Sequence, residues 1–203
     1  AALPVAANQL SNPGFEADAS PGGALVYGAS GWTNYGLSWT ASGPSEPTRS
    51  GLGSLRIDSE RSFGIPGAYQ TLAASAGQTW DLTGYMLTPG ALPADATFGL
   101  LKIVWSDGVN QLAPGVVDIG SANFNEGAYG IESTPLLDSS SAPGNWQFTQ
   151  ARGVAPAGTT EILIFTILVD QSPATVYFDD IAAGVVPEPA SALLLIGGLL
   201  LVR

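Results

Sequence analysis

Seventeen carboxylates face six basic side chains in this chain, with no histidine and no cysteine, and that inventory bounds its chemistry. Without histidine or cysteine the usual nucleophile triads are excluded. So are thiolate nucleophiles, disulfides and Cys/His zinc or haem sites. Carboxylate chemistry remains. A glycosidase needs two carboxylates at roughly 5–10 Å. Glu126 and Glu132 are the best free pair, but their loop carries no supporting signature, and they read as solvated acids. No glycine-rich turn sits between a strand and a helix to cradle phosphate. The expectation is a protein that is not an enzyme.

The formal net charge of -11 argues against nucleic acid, because there is no basic patch to neutralise phosphates. It argues equally against electrostatic docking on anionic lipid. A hard cation such as calcium is a more natural partner for so many carboxylates.

The elements that must position these groups read as strands. Apolar-rich segments recur at 25–27, 31–39, 54–57, 68–72, 79–87, 97–105, 145–151, 161–169 and 175–181. Breakers such as Pro89-Gly90, Asp107-Gly108, Pro143-Gly144 and Pro156-Ala157-Gly158 separate them. Short strands at this spacing, with no long helical period, predict an all-β sandwich of one domain. Residues 106–144 predict a long loop or a pair of irregular strands, with Phe124, Tyr129 and Leu136-Leu137 pinning it to the sandwich. Strict alternation along 175–181 places Val176, Phe178 and Asp180 on one face and Tyr177, Asp179 and Ile181 on the other. If the first face is the core, the Asp180 carboxylate needs a metal or an arginine such as Arg56.

The end of the chain differs from all of this. Val186-Pro187-Glu188-Pro189 is followed by residues 190–202 without a charge, and then by Arg203. Thirteen residues of helix span about 20 Å, short of the roughly 30 Å hydrocarbon core. The stretch resembles the PEP-CTERM sorting signal of Gram-negative-type bacteria, through Pro187, Glu188, Pro189, the apolar run and Arg203. The signal normally ends in several arginines, where this chain has one. The resemblance implies export, recognition by an exosortase-type processing enzyme, and contact with the membrane through the C-terminal segment. Ala1-Ala2-Leu3-Pro4 is compatible with the remnant of a processed signal peptide.

A second resemblance spans most of residues 8–184. Asn12-Pro13-Gly14-Phe15-Glu16, Trp32, the Gly51–Ile57 turn and strand, Ala68–Leu72, Ala155–Thr159 and Val176–Ile181 follow one another as in carbohydrate-binding modules of the galactose-binding-like jelly-roll type. That family implies a structural calcium near the junction of its first and last strands. The matching carboxylates are Glu16 and Asp180, with Asp179 or Asp18 as helpers. The alternative is Asp180 paired with an arginine or capped by backbone amides. The family also implies sugar binding by exposed aromatics. Among Trp32, Tyr35, Trp39, Trp105, Tyr129 and Trp146, the first three sit in a Gly/Ser/Asn-rich region and are the better surface candidates, although Trp32 suits a buried role as well. Trp80 and Trp105 lie inside strong strands and read as core.

The expected architecture is therefore an all-β jelly-roll β-sandwich with a short C-terminal hydrophobic helix. It divides into an N-terminal extension (1–11), the sandwich (12–184) and a linker with apolar helix (185–203). The expected role is a non-catalytic exported envelope or surface protein, structural or adhesive, held or sorted through its C-terminal segment. Its expected location is the periplasmic side of the inner membrane, the cell surface or the extracellular matrix. The alternatives are an accessory subunit contacting integral-membrane partners, self-association through sandwich edges, and a carbohydrate-binding module whose partner is a glycan.

Overall fold

The computed structural model describes residues 7–59, 64–112 and 130–187. Among these residues twelve strands form two antiparallel sheets. They are β1 (Ala24–Tyr27), β2 (Thr33–Tyr35), β3 (Leu37–Ser42), β4 (Gly53–Ser59), β5 (Gly67–Ala73), β6 (Thr79–Leu87), β7 (Phe98–Ser106), β8 (Gln111–Leu112), β9 (Ile131–Glu132), β10 (Gln147–Val154), β11 (Glu161–Val169) and β12 (Ala174–Val185). One sheet runs β1-β3-β4-β12-β6-β10; the other runs β2-β5-β11-β7-β8, with β9 also on β7. The architecture is an all-β jelly-roll sandwich.

Binary patterning explains both sheets. In β6, Trp80, Leu82 and Met86 are fully buried while Asp81, Thr83 and Tyr85 alternate outward. In β11, Ile162 and Ile164 enter the core, and Leu163 and Phe165 face away from it. Trp80, Trp105, Phe15, Phe178, Leu55 and Ile57 are among the largest fully buried side chains between the sheets. Burying each of the Phe, Leu and Ile side chains stabilises the fold by on the order of 1.5–3 kcal/mol. Glycine splits the expected 31–39 segment: Gly36 takes φ +71°, so the chain turns from β2 in one sheet to β3 in the other.

The pairing of β12 corrects the expected alternation. Asp179 opposes Tyr85 and Ala182 opposes Thr83, so Asp180 and Ile181 share one place in the ladder. Asp180 has φ +50°, a left-handed conformation that aspartate tolerates better than most residues. This β-bulge reverses the faces beyond it. Ile181 and Ala183 therefore join Val176 and Phe178 in the core. Asp180 is pushed out of the core face, and Asp179 becomes the fully buried acid.

Within 106–144, β8 and β9 are short strands on β7, and Leu137 is fully buried, with its backbone paired to Gly99. Phe124, Glu126 and Tyr129 lie outside the described residues. Asn8 and Gln9 hydrogen-bond to Ile181 and Ala183 of β12, so the start of the described chain is laid along the last strand.

The expected C-terminal helix is corrected. Among the described residues the single helical element is a 3-10 turn, Glu16–Asp18. None of their helices is long and apolar enough to cross a membrane. Glu188, Pro189, the 190–202 run and Arg203 lie outside the described residues; Pro187 is an exposed residue just beyond β12.

Candidate functional site

The carboxylates singled out in the sequence gather where the 3-10 turn, the loop before β4 and the β12 bulge meet. Glu16 accepts hydrogen bonds from the backbone N–H groups of Leu52 (2.8 Å) and Gly53 (3.3 Å). Gly51 must lack a side chain, because a Cβ there would overlap the Glu16 carboxylate. Asp179 accepts from the amides of Arg49 (2.7 Å), Ser50 (3.2 Å) and Asp180 (2.7 Å). Burial nonetheless raises its pKa to about 6, and the neighbouring charge of Asp180 adds to the rise. Asp180 accepts from Ser50 Oγ (2.7 Å) and pairs with the guanidinium of Arg49, not with Arg56. Arg56 is held instead by Asp58 and Glu46. Asp18 turns aside to Ser30, accepting from its N–H (2.5 Å) and its hydroxyl (2.7 Å).

Glu16, Asp179 and Asp180 converge on Gly14. A Cβ at Gly14 would lie 3.7 Å from Asp179 Oδ1, and 3.8 Å from both Asp180 Oδ1 and Glu16 Cγ. No three acids are grouped tightly enough among the described residues to form a metal-holding cluster as they stand. The donor chemistry fits a hard cation all the same. It is all oxygen, with Asp179 and Asp180 beside the Arg49 guanidinium and Glu16 on the neighbouring Leu52 and Gly53 amides.

The three aromatics expected to meet sugar go to three different places. Trp32 is only 6 % exposed; it packs against Phe15 at 5.3 Å in the core and donates from Nε1 to the Asn12 carbonyl (3.2 Å). Trp39 is half-buried and meets Tyr27 edge-on at 5.3 Å, the two residues being directly paired between β3 and β1. Tyr35 joins a cluster that the sequence reading missed. Its ring lies 6.2 Å from Tyr69 and 6.1 Å from Phe165, and those two are 5.2 Å apart. Burial, and then the neighbouring Tyr69, hold the Tyr35 hydroxyl well above the usual tyrosine range. Gly67 makes room for this ring, because a Cβ there would strike the Tyr35 hydroxyl.

The cluster stands on the outer face of the β2-β5-β11-β7 sheet. Register places Thr33 opposite Tyr69, Tyr69 opposite Phe165, Phe165 opposite Lys102 and Lys102 opposite Glu132. One row thus crosses the sheet from a hydroxyl, over two half-buried rings, to an ion pair of 3.3 Å between Lys102 and Glu132. Glu132, expected as a solvated loop acid, is one half of that pair. Tyr69 and Phe165 had a legible signal: each is an aromatic at an outward position, flanked by inward Ala68 and Gln70 or by Ile164 and Thr166. Trp80 and Trp105 are fully buried core residues.

No family model matches the chain, and no curated protein matches it in sequence. Solved structures do match in fold. A xylan-binding domain of carbohydrate-binding family 22 from Paenibacillus barcinonensis is 15 % identical, with TM-score 0.54; the match covers 93 % of this chain and 100 % of that one. The likeness is one of fold alone. A cyclase from Fischerella sp. TAU, solved with an indolyl butanone, is 14 % identical with TM-score 0.61 over 92 % and 100 % of the two chains. The enzymatically active domain of a bacteriophage CBA120 tailspike protein is 14 % identical with TM-score 0.53 over 88 % of this chain. This chain spans only 21 % of that tailspike's length.

These findings correct the sorting-signal reading. With no family model matching, the PEP-CTERM resemblance is not sustained, and neither the exosortase and membrane partners nor the envelope role built on them stands.

Proposed function

We propose that this chain is a non-catalytic glycan-binding module whose binding face is the outer surface of the β2-β5-β11-β7 sheet. The observation that carries this reading is the Tyr35–Tyr69–Phe165 cluster on a sheet face, flanked in register by Thr33, Lys102 and Glu132. Pyranose rings offer apolar C–H faces that stack on aromatics and equatorial hydroxyls that exchange hydrogen bonds with a polar rim. A sheet face presents its side chains at fixed spacing, which suits a chain polymer. The acidic protein disfavours polyanionic glycans and favours neutral ones. A xylan-binding domain of the same fold supports xylan as the first polymer to try. Such a role is consistent with an exported protein working where polysaccharide is found.

Affinity electrophoresis through gels holding xylan or other neutral polysaccharides tests the reading. Retardation of the protein by at least one polymer, lost in Tyr69→Ala/Phe165→Ala, is expected. Unchanged mobility in every neutral polymer would overturn it.

We also propose that calcium takes the place of the Arg49 guanidinium beside Glu16 and Asp180, with Asp179 helping, as a structural ion. A hard, divalent ion would offset the neighbouring Asp179 and Asp180 carboxylates more fully than one guanidinium, and Glu16 could swing in to complete its shell. Thermal unfolding in calcium and in chelator checks this. A melting point several degrees higher in calcium, abolished by Asp180→Ala, is expected; identical melting points would remove calcium from the account.

A further inference from the structure

A pocket of about 600 Å³ lies where β1, β3, β4 and the chain around Gly64 meet. Its described lining includes Tyr27, Leu37, Asp58, Ile65, Pro66 and Asp170. None of the residues of the proposed glycan face lines it, so it is a separate feature. The two charged groups among that lining are both carboxylates.

Asp170 is the informative one. It directly follows β11 and is 1 % exposed. One of its oxygens accepts the Gly64 N–H, and its own N–H donates to the Gly64 carbonyl at 3.1 Å, a short antiparallel bridge that locks it in place. The other oxygen, Oδ2, is buried with no hydrogen-bond partner. Unpaired buried carboxylate oxygens are costly, and they persist where something else supplies the donor. Gly64 keeps its side of the carboxylate clear, because a Cβ there would lie 2.9 Å from both oxygens. The second acid, Asp58, already accepts from Arg56 Nε (2.9 and 3.0 Å) and Thr175 Oγ1 (2.7 Å), so it adds negative potential while its own bonds stay made.

The walls have a different character. Tyr27 and Ile65 are 60 % and 59 % exposed at the pocket rim. The Tyr27 ring is held by its hydroxyl bond to the Gly36 carbonyl (3.1 Å) and by the Trp39 edge. Leu37 and Pro66 continue the apolar surface. A buried acceptor-only anion, a second carboxylate and an aromatic wall together select a donor-rich cation on a short apolar or sugar-like body. A primary ammonium brings three donors to an acceptor that has none, and its charge is favoured by the tyrosine face.

We propose that this pocket binds a protonated primary amine, with Asp170 Oδ2 accepting one ammonium hydrogen and Tyr27 and Ile65 covering the adjoining carbons. The amine has two chemical sources, a free alkyl diamine or the amino group of a deacetylated amino sugar.

Isothermal titration of the full chain with 1,4-diaminobutane and, separately, with a glucosamine trisaccharide distinguishes the two sources. The neutral counterparts, 1,4-butanediol and the N-acetylated trisaccharide, are the controls. At least one amine should bind tenfold or more tightly than its neutral counterpart. Asp170→Asn should lose at least tenfold, and Tyr27→Ala a few-fold. Asp138→Asn, which removes one charge from a turn outside the pocket, should change nothing. The rim substitution Tyr27→Ala keeps the test open should Asp170→Asn fail to fold. Equal binding of amine and neutral forms, no binding by either amine, or equal losses in Asp170→Asn and Asp138→Asn would overturn the proposal. The last result would show attraction to the acidic surface as a whole.

Discussion

Two regions on the outer faces of the two sheets, around Tyr85 and Tyr177 on one and around Tyr69 on the other, use aromatic residues in different ways. On the β1-β3-β4-β12-β6-β10 sheet, Tyr85 and Tyr177 are engaged by charge, while Tyr27 and Trp39 meet ring to ring at its β1 edge and Phe148 packs on Tyr85. The Arg49 guanidinium lies 3.5 Å above the Tyr85 ring. The Tyr177 hydroxyl donates to Glu46 (2.6 Å), and Glu46 and Asp58 both hold Arg56. Burial first, then the bond to Glu46, raises the Tyr177 pKa far above its usual value. On the other sheet, Tyr35, Tyr69 and Phe165 pack on one another, and the Lys102–Glu132 pair stands at the end of their row. A ring covered by a guanidinium has spent that face; a ring packed side by side with others still has a face to offer. On the proposed reading, the Tyr85 and Tyr177 region is structural and the Tyr35–Tyr69–Phe165 face is the one that meets glycan.

Substitutions can break that comparison, and the largest effect belongs to neither face. Phe178→Ala removes a fully buried ring of β12 between the sheets and should cost about 3–5 kcal/mol in chemical denaturation. It sets the scale for a purely structural loss. Tyr69→Ala/Phe165→Ala should weaken glycan binding by about 1–3 kcal/mol in titration calorimetry, at the roughly 0.5–1.5 kcal/mol per aromatic contact expected of stacking. Its effect on stability should be smaller than that of Phe178→Ala. The mirror experiment, Tyr177→Phe, removes the hydroxyl bonded to Glu46 and should cost about 1 kcal/mol of stability with binding unchanged. Any loss of glycan affinity in Tyr177→Phe would dissolve the distinction between the faces.

A further expected effect concerns pH. The pKa of Asp179 is raised to about 6 in the folded chain, against an unfolded value of 3.8. The native state therefore holds this proton more tightly than the unfolded state. In calcium-free buffer the contribution of Asp179 to stability should grow as pH falls from 7 through 6 towards 4, by about 1–2 kcal/mol, and level off below the unfolded value. A carboxyl-carbon NMR titration of Asp179 with its midpoint near 6 is the direct check. A midpoint near 4 would show the amides of Arg49, Ser50 and Asp180 outweighing burial.

The sandwich was legible because its strands are written in alternation and its turns in glycine and proline. β6 and β11 have the bounds expected from TWDLTGYML and EILIFTILV. The β12 bulge was not legible, since Asp180 in a left-handed conformation leaves no mark in a local pattern. That one residue exchanged the expected environments of Asp179 and Asp180. The proposed binding face was half legible. Tyr35 stood out in a polar stretch, but Tyr69 and Phe165 come from distant strands, and only register brings the three together. Trp32 sits near Tyr35 in sequence yet enters the core, because the chain turns at Gly31 and Gly36, both at positive φ. The apolar end of the chain misled more than it informed, since a run of uncharged residues is compatible with many fates. The fold carries both a xylan-binding domain and a cyclase among its matches, so function here has to be argued from the faces and not from the fold.

The central claim is that glycan meets the Tyr35–Tyr69–Phe165 face. Amide chemical-shift mapping during titration with a soluble xylan oligosaccharide tests it most directly. Saturable shifts centred on β2, β5 and β11 around Tyr35, Tyr69 and Phe165 are the expected result. Saturable shifts confined to the Tyr85 and Tyr177 face of the opposite sheet would contradict it.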